Sequence, residues 1–252
     1  MNVVIDIGNA RIKWARVTDG ALHAQGHALH LEALDEAFEK LAAALPPSAE
    51  RVVAANVAGD KLGARLAQLI RARYRTEPEF LAVRAEALGV RCGYANPARL
   101  GVDRWAAVLA AYRSIGGAVC VIGAGTAVTF DAVDAGGRHL GGLIFAGPRL
   151  AASALDRSTS GIGATQPAGA RPAELGLLGT NTDTAVGHAA VLAVAAGVDR
   201  AVATVQAALG LQPTVLLTGG DAQLLAGWLE TETVLRADLV LEGLALFVER
   251  GQ

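Results

Sequence analysis

An aspartate two residues ahead of a glycine turn, Asp6-Ile7-Gly8-Asn9, lies between an apolar run over residues 3–7 and another over residues 12–17. A glycine-led turn between two strands lets backbone N–H groups converge on one point, which makes an anion-binding concavity without side-chain charge. Phosphate suits such a concavity. A carboxylate at Asp6 could hold Mg²⁺ through water, and Asn9 and Lys13 could reach phosphate oxygens. Taken alone, the same four residues are equally an ordinary hairpin turn. The pattern returns, however, at Gly123-Ala124-Gly125-Thr126, between apolar runs over residues 119–122 and 127–133. Aligning Gly8 with Gly125 sets Asn9 against Thr126 and Ala10 against Ala127. A third glycine loop, Thr218-Gly219-Gly220, follows an apolar run over residues 214–217, and no Gly-x-x-x-x-Gly-Lys-Ser/Thr phosphate loop competes with these three.

Such turns need strands and helices to hold them, and the patterning supplies both. Leu34, Phe38, Leu41 and Leu45 fall at helical spacing, which predicts a helix over residues 31–45 stopped by Pro46-Pro47. A strand over 52–55, a helix around Leu62, Leu66, Leu69 and Ile70, an extended piece over 80–83 and a helix over 104–113 complete a first half that ends at Gly116-Gly117. The second half continues with helices over 149–155, from Thr182 behind Asn181 as N-cap, and over 224–229 and 239–247. Two strand-glycine-strand hairpins, each heading a half of similar size, indicate duplication. The expected fold is α/β, with halves 1–117 and 118–252 and the active site in the cleft between them.

Composition narrows the partners. With 52% hydrophobic residues in 252 there is ample material for buried cores, and a net charge of -2 with 18% charged residues gives no broad cationic field for nucleic acid or anionic lipid. No nucleic-acid or membrane partner is expected. The apolar stretch at 185–198 is interrupted by Gly187 and His188 and falls short of the roughly 20 residues a bilayer span needs. Cys92 and Cys120 have neither zinc-site spacing nor the density of a secreted disulfide scaffold, so a cytoplasmic location is expected. The N-terminal apolar run has no basic leader before it and reads as a strand rather than a signal peptide.

The segment Gly93-Tyr94-Ala95-Asn96-Pro97, followed by Leu100-Gly101-Val102-Asp103-Arg104-Trp105, is the most informative in the chain. Together with Asp6-Ile7-Gly8-Asn9, Gly125-Thr126-Ala127-Val128-Thr129, Leu140-Gly141-Gly142 and Leu241-Glu242-Gly243-Leu244, it resembles the type III pantothenate kinases, in family order across nearly the whole length. That resemblance implies two duplicated ribonuclease H-like halves of the actin-like ATPase kind. It further implies ATP with Mg²⁺, phosphorylation of pantothenate as the first step of coenzyme A biosynthesis, and a homodimer. Transferred residue by residue, it makes Asp103 the general base, and it makes Tyr94, Gly101, Val102, Asp103, Arg104 and Thr182 the substrate-binding set, with Arg104 on the pantothenate carboxylate. Asp6, Ile7, Gly8, Asn9, Ala10, Arg11, Ile12, Lys13 and Thr126 become the ATP-binding set, with Asp6 also the Mg²⁺ ligand.

One departure is plain: the family's aspartate for a bound K⁺ or NH₄⁺ is replaced here by Gly123, which leaves the ligand of that expected monovalent cation unknown. On the residues alone, Asp103 could equally cap a helix beginning near Arg104, and Tyr94 and Thr182 could serve only their own loops. Two other functions stay open at this level, another small-molecule kinase of the same superfamily and a catalytically decayed regulatory nucleotide-binding module. His23 and His27 lack a third metal ligand, His139 and His188 lack an acid partner in the sequence, and Arg71, Arg73 and Arg75 read as a solvated helix end.

Overall fold

The computed structural model describes residues 1–31 and 33–249. In chain order the elements are β1 (Asn2–Ile7), β2 (Arg11–Thr18), β3 (Ala21–Leu29), α1 (Leu34–Ala44), β4 (Val52–Asn56), α2 (Asp60–Tyr74), β5 (Glu79–Phe80), β6 (Glu86–Ala87), β7 (Val90–Arg91), α3 (Val102–Ile115), β8 (Val119–Ala124), β9 (Ala127–Val133), β10 (His139–Ala146), α4 (Pro148–Ser158), α5 (Thr182–Leu209), β11 (Thr214–Thr218), α6 (Ala222–Ala226), β12 (Val234–Leu235) and α7 (Leu239–Glu249). They form two compact units, Met1–Ser114 with Asp238–Gln252, and Ile115–Ala237.

The first unit is a five-stranded sheet in the order β3-β2-β1-β4-β5, with β1, β2 and β3 antiparallel and β4 parallel to β1. Successive side chains of a strand point to opposite faces, and β1 shows the consequence. Val3, Ile5 and Ile7 enter a core with Ile12, Trp14, Phe38, Leu41, Leu66 and Ile70, covered by α1 and α2. Val4 enters the opposite core, with Ala15, Val53, Ala106, Leu241, Leu244 and Val248, covered by α3 and α7. Asp6 shares Val4's face, and so the period of the strand sends its carboxylate towards the α3 side.

The sequence reading places the final helix in the second half; instead α7 belongs to the first unit, and the division falls near residue 115. The reason is burial. Leu239, Leu241 and Leu244 are all but fully buried, each contributing about 1.5–3 kcal/mol relative to exposure. Gly243 lets α7 approach α3 backbone to backbone, since a Cβ there would lie 2.1 Å from the Ala106 carbonyl oxygen. Arg51 secures the helix end by donating to the Phe247 and Val248 carbonyls at 3.0 and 2.8 Å while pairing with Glu79. Arg71, Arg73 and Arg75 at the end of α2 are exposed, in keeping with the solvated helix end read from the sequence. Arg73 donates to the Leu45 and Pro46 carbonyls, which satisfies the C-terminus of α1.

The second unit repeats the strand order as β10-β9-β8-β11-β12. Cys120, Ile122, Val128 and Phe130 pack against Val191, Val194, Ala195 and Val198 of α5, and burial pushes the Cys120 thiol up to about 12, so it remains a neutral core residue. Asn181 is the N-cap of α5, accepting from the Thr184 amide at 2.9 Å. Gly187 and His188 do not interrupt the helix. Its 28 residues make it, among those described, the one helix long and apolar enough to cross a membrane, and its buried face is the core just named.

His139 does have an acid partner. It is fully buried on β10 and its Nε2 lies 2.9 Å from Asp131 Oδ1 on β9, a cross-strand contact eight residues away that strand pairing creates. His188 donates through Nδ1 to the Leu177 carbonyl at 2.8 Å. Strands β3 and β10 are absent from the sequence reading. The first is an exposed edge rich in alanine, histidine and glutamine, and the second carries Gly141-Gly142 with a bulge beside it. His23 and His27 lie on β3, where four residues span about 13 Å, too far for one metal ion.

Candidate active site

The first glycine hairpin is Gly8-Asn9-Ala10, closed by the Gly8 amide donating to the Arg11 carbonyl at 3.0 Å. Its strands are fixed by Ile7 and Ile12, whose side chains are wholly buried, so of the predicted phosphate segment those two can offer only backbone. Asn9 and Ala10 have amides with no hydrogen bond to any described residue. The second hairpin is one residue shorter. Gly125 donates to the Ala127 carbonyl at 3.1 Å, and exposed Thr126 accepts from the Gly147 amide at 3.0 Å. The loop at Thr218-Gly219-Gly220 leans on it through the Asp221 amide, which donates to the Ala124 carbonyl.

Asp6 is buried, and its Oδ1 has no hydrogen-bond partner. Burial first, then the negative charge of Asp103, push its carboxyl up to about 7, with Lys13 pulling the other way. A carboxylate so placed is short of positive charge. That fits a divalent cation, which Asp6 would hold. No group of three or more His, Cys, Asp or Glu is gathered among the described residues, so such an ion would draw its other oxygens from nucleotide and water, as Mg²⁺ does. Lys13 also meets Asp238 at 3.6 Å. Sequence reasoning missed Asp238, although an acid just before the Leu241-Glu242-Gly243-Leu244 motif was the available signal.

Asp103 and Arg104 sit in the first turn of α3, which begins at Val102 rather than near Arg104, so Asp103 is inside the helix and not its cap. Val102 packs on the α3 and α7 core. The Arg104 amide donates to Asp103 Oδ1 at 2.8 Å. Gly101 leaves room for that carboxylate, because a Cβ at 101 would stand 2.7 Å from Asp103 Oδ1. Arg104 is buried, and its guanidinium donates to the Tyr94 hydroxyl at 3.2 Å with the ring 5.8 Å away. Tyr94 is held by the loop before a short 3₁₀ turn, Pro97–Arg99, which Asn96 caps through the Ala98 amide. Thus Asp6, Lys13, Tyr94, Gly101, Asp103 and Arg104 all belong to the first unit, whereas Thr126 and Thr182 belong to the second. Thr182 is an exposed residue at the start of α5.

The expected monovalent cation finds no charged ligand at its predicted place. Gly123 has no side chain, and the position a Cβ would take lies 2.7 Å from Thr129 Oγ1. The residues present do not fit a carboxylate-bound ion there.

Repeated five-stranded sheets, each headed by a glycine hairpin, define an α/β protein with the actin-like ATPase fold. Solved structures agree on the fold. An activator of the 2-hydroxyisocaproyl-CoA dehydratase from Clostridium difficile with bound ADPNP aligns with TM-score 0.52 at 13% identity over 98% of this chain and 93% of that one. The ethanolamine utilization protein EutJ from Carboxydothermus hydrogenoformans gives 0.52 at 16% over 98% and 89%. A family model described as type III pantothenate kinase matches residues 2–204. Proteins named type III pantothenate kinase are similar along the chain: that of Nitrosococcus oceani is 34% identical over 97% of this chain and 92% of its own, and that of Alcanivorax borkumensis 33% over the whole of both. The chain belongs to the type III pantothenate kinase family.

Proposed function

We infer that this protein transfers the γ-phosphoryl group of ATP to the hydroxyl of pantothenate, giving ADP and 4′-phosphopantothenate, the first step of coenzyme A biosynthesis. The observation that carries this reading is the pair of carboxylates on one face of the first unit's sheet: Asp6, buried with an oxygen unpartnered, and Asp103, whose charge it feels. Phosphoryl transfer has a loose transition state, so positioning and charge neutralisation matter more than covalent chemistry. Asp103 orients the acceptor hydroxyl and takes its proton as the new O–P bond forms and the bond to the β,γ-bridging oxygen breaks. Asp6 would hold Mg²⁺, which supplies neutralisation of the phosphate oxygens. Asn9, Lys13 and the hairpin amides bind phosphate oxygens, and we assign Thr126 to the same task. Arg104, steadied by Tyr94, clamps the pantothenate carboxylate, since a planar guanidinium meets a carboxylate through two parallel hydrogen bonds. Thr182 is assigned to the acceptor. No step of this mechanism is assigned to the monovalent cation.

Coupled measurement of ADP release should show turnover with pantothenate and none with a panel of hexoses. Turnover with a hexose alone, or nucleotide binding without turnover, would overturn the reading. In the same assay, Arg104→Ala should raise KM for pantothenate much more than KM for ATP. Equal rises would remove the carboxylate clamp.

Self-association as a homodimer is also proposed, supported by exposed Leu140, Leu143 and Ile144 on the edge strand β10 and Leu150 and Leu155 on α4. Apolar side chains concentrated on neighbouring elements in this way mark contact surfaces. Sedimentation equilibrium should give twice the chain mass, and a monomer at micromolar concentration would contradict this.

A further inference from the structure

His30 follows β3 directly and is buried, yet none of the motifs that carry the family resemblance includes it. Its backbone amide donates to the Ala10 carbonyl at 3.1 Å, and its Nε2 lies 2.7 Å from the Gly8 carbonyl oxygen. A carbonyl only accepts, so Nε2 bears the hydrogen in this contact. One residue therefore grips the carbonyl at each end of the Gly8-Asn9-Ala10 turn. Apart from the Gly8 to Arg11 bond, no other backbone hydrogen bond within the described residues restrains that turn.

The chemical consequence concerns which groups the turn can present. A carbonyl engaged by a donor cannot swing towards a phosphate, where its oxygen would repel the oxygens of the ligand. With the carbonyls at its two ends occupied, the turn still has the amides of Asn9 and Ala10 without a hydrogen bond to any described residue. Donors fixed before the ligand arrives cost no reorganisation when it binds.

We propose that His30 is a positioning residue for nucleotide binding, holding the first hairpin in the conformation that offers the Asn9 and Ala10 amides to an anionic phosphate. The proposal rests on the phosphate-binding reading of that hairpin but not on the identity of the acceptor. It assigns no proton transfer to the imidazole. The hydrogen bond acts through Gly8, and losing it should affect nucleotide affinity before anything else.

The test is direct titration of the intact protein with Mg²⁺ and a non-hydrolysable ATP analogue, comparing wild type with His30→Phe and His30→Gln. Phenylalanine fills the buried space without a donor, whereas glutamine retains an N–H donor on a flexible side chain. A single hydrogen bond of ordinary net strength corresponds to about a three- to tenfold weaker dissociation constant for His30→Phe. His30→Gln should recover part of that loss. In steady state KM for ATP should rise by a similar factor, with KM for pantothenate unchanged. Equal analogue affinity in His30→Phe and wild type would overturn the proposal, as would parallel losses in both variants that track a fall in thermal stability. Failure of the kinase assignment would look different: wild type would bind the analogue and release no ADP with pantothenate, while the His30 comparison kept its full meaning.

Discussion

Asp103→Asn should retain the fold and lose turnover by about 10²–10⁴-fold, the usual worth of a positioned general base. The substitution is nearly isosteric, so the oxygen that accepts from the Arg104 amide survives, and the tight fit beside Gly101 is undisturbed. What disappears is the proton acceptor and one negative charge. The change should fall on kcat with pantothenate, with KM for ATP little altered, because Asp103 faces the acceptor in the proposed mechanism. A second readout follows from electrostatics. Asp103 is the second cause of the raised Asp6 carboxyl, after burial, so removing its charge should bring Asp6 down from about 7. Titration of Asp6 by NMR can follow this. An Asp103→Asn enzyme with normal kcat would remove this residue as the base, and an unmoved Asp6 would show that the two carboxylates are not coupled.

Asp6→Asn carries the other large effect, and it runs in opposite directions for activity and stability. In the folded protein the Asp6 carboxyl is raised from 3.8 to about 7, chiefly by burial. The folded state therefore holds this proton more tightly than the unfolded state does. Its contribution to stability is fully present below about pH 4, declines as pH rises between about 4 and 7, and is lost above 7. At about 1.4 kcal/mol per pH unit the decline amounts to ~4 kcal/mol. Asparagine cannot ionise, so the variant should be spared this decline. Urea unfolding without Mg²⁺ at pH 5 and pH 8 should show the wild type losing more stability than Asp6→Asn between the two. Parallel behaviour would mean that the carboxylate is solvated or paired. Activity should fall severely at both pH values, because an amide is a poor Mg²⁺ ligand. Mg²⁺ with ADP should stabilise the wild type at pH 8 and the variant much less.

Residues with local signatures were legible without coordinates. The glycine turns, the Asn181 cap, the helix ended by Pro46-Pro47 and the strands of the two hairpins depend on spacing within a few residues, and the structure places them where that spacing indicates. Strands β3 and β10 were illegible because an exposed edge needs little apolar alternation, its strand character coming from the neighbour it pairs with. The Asp131 and His139 pair was hidden for a related reason. Eight residues separate them in sequence, and only the antiparallel register of β9 with β10 sets them in contact.

By itself the sequence determined which chemical groups exist and most of the local elements carrying them: a carboxylate before a glycine hairpin, an acid and an arginine opening a helix, and two halves of like pattern. Tertiary structure alone decided that the last helix returns to the first unit beneath β1, that Asp6 loses water and gains the field of Asp103, and that His30 grips the hairpin. Dehydration and charge coupling depend on what lies within a few ångströms in space, and here the neighbours come from chain segments tens to hundreds of residues apart.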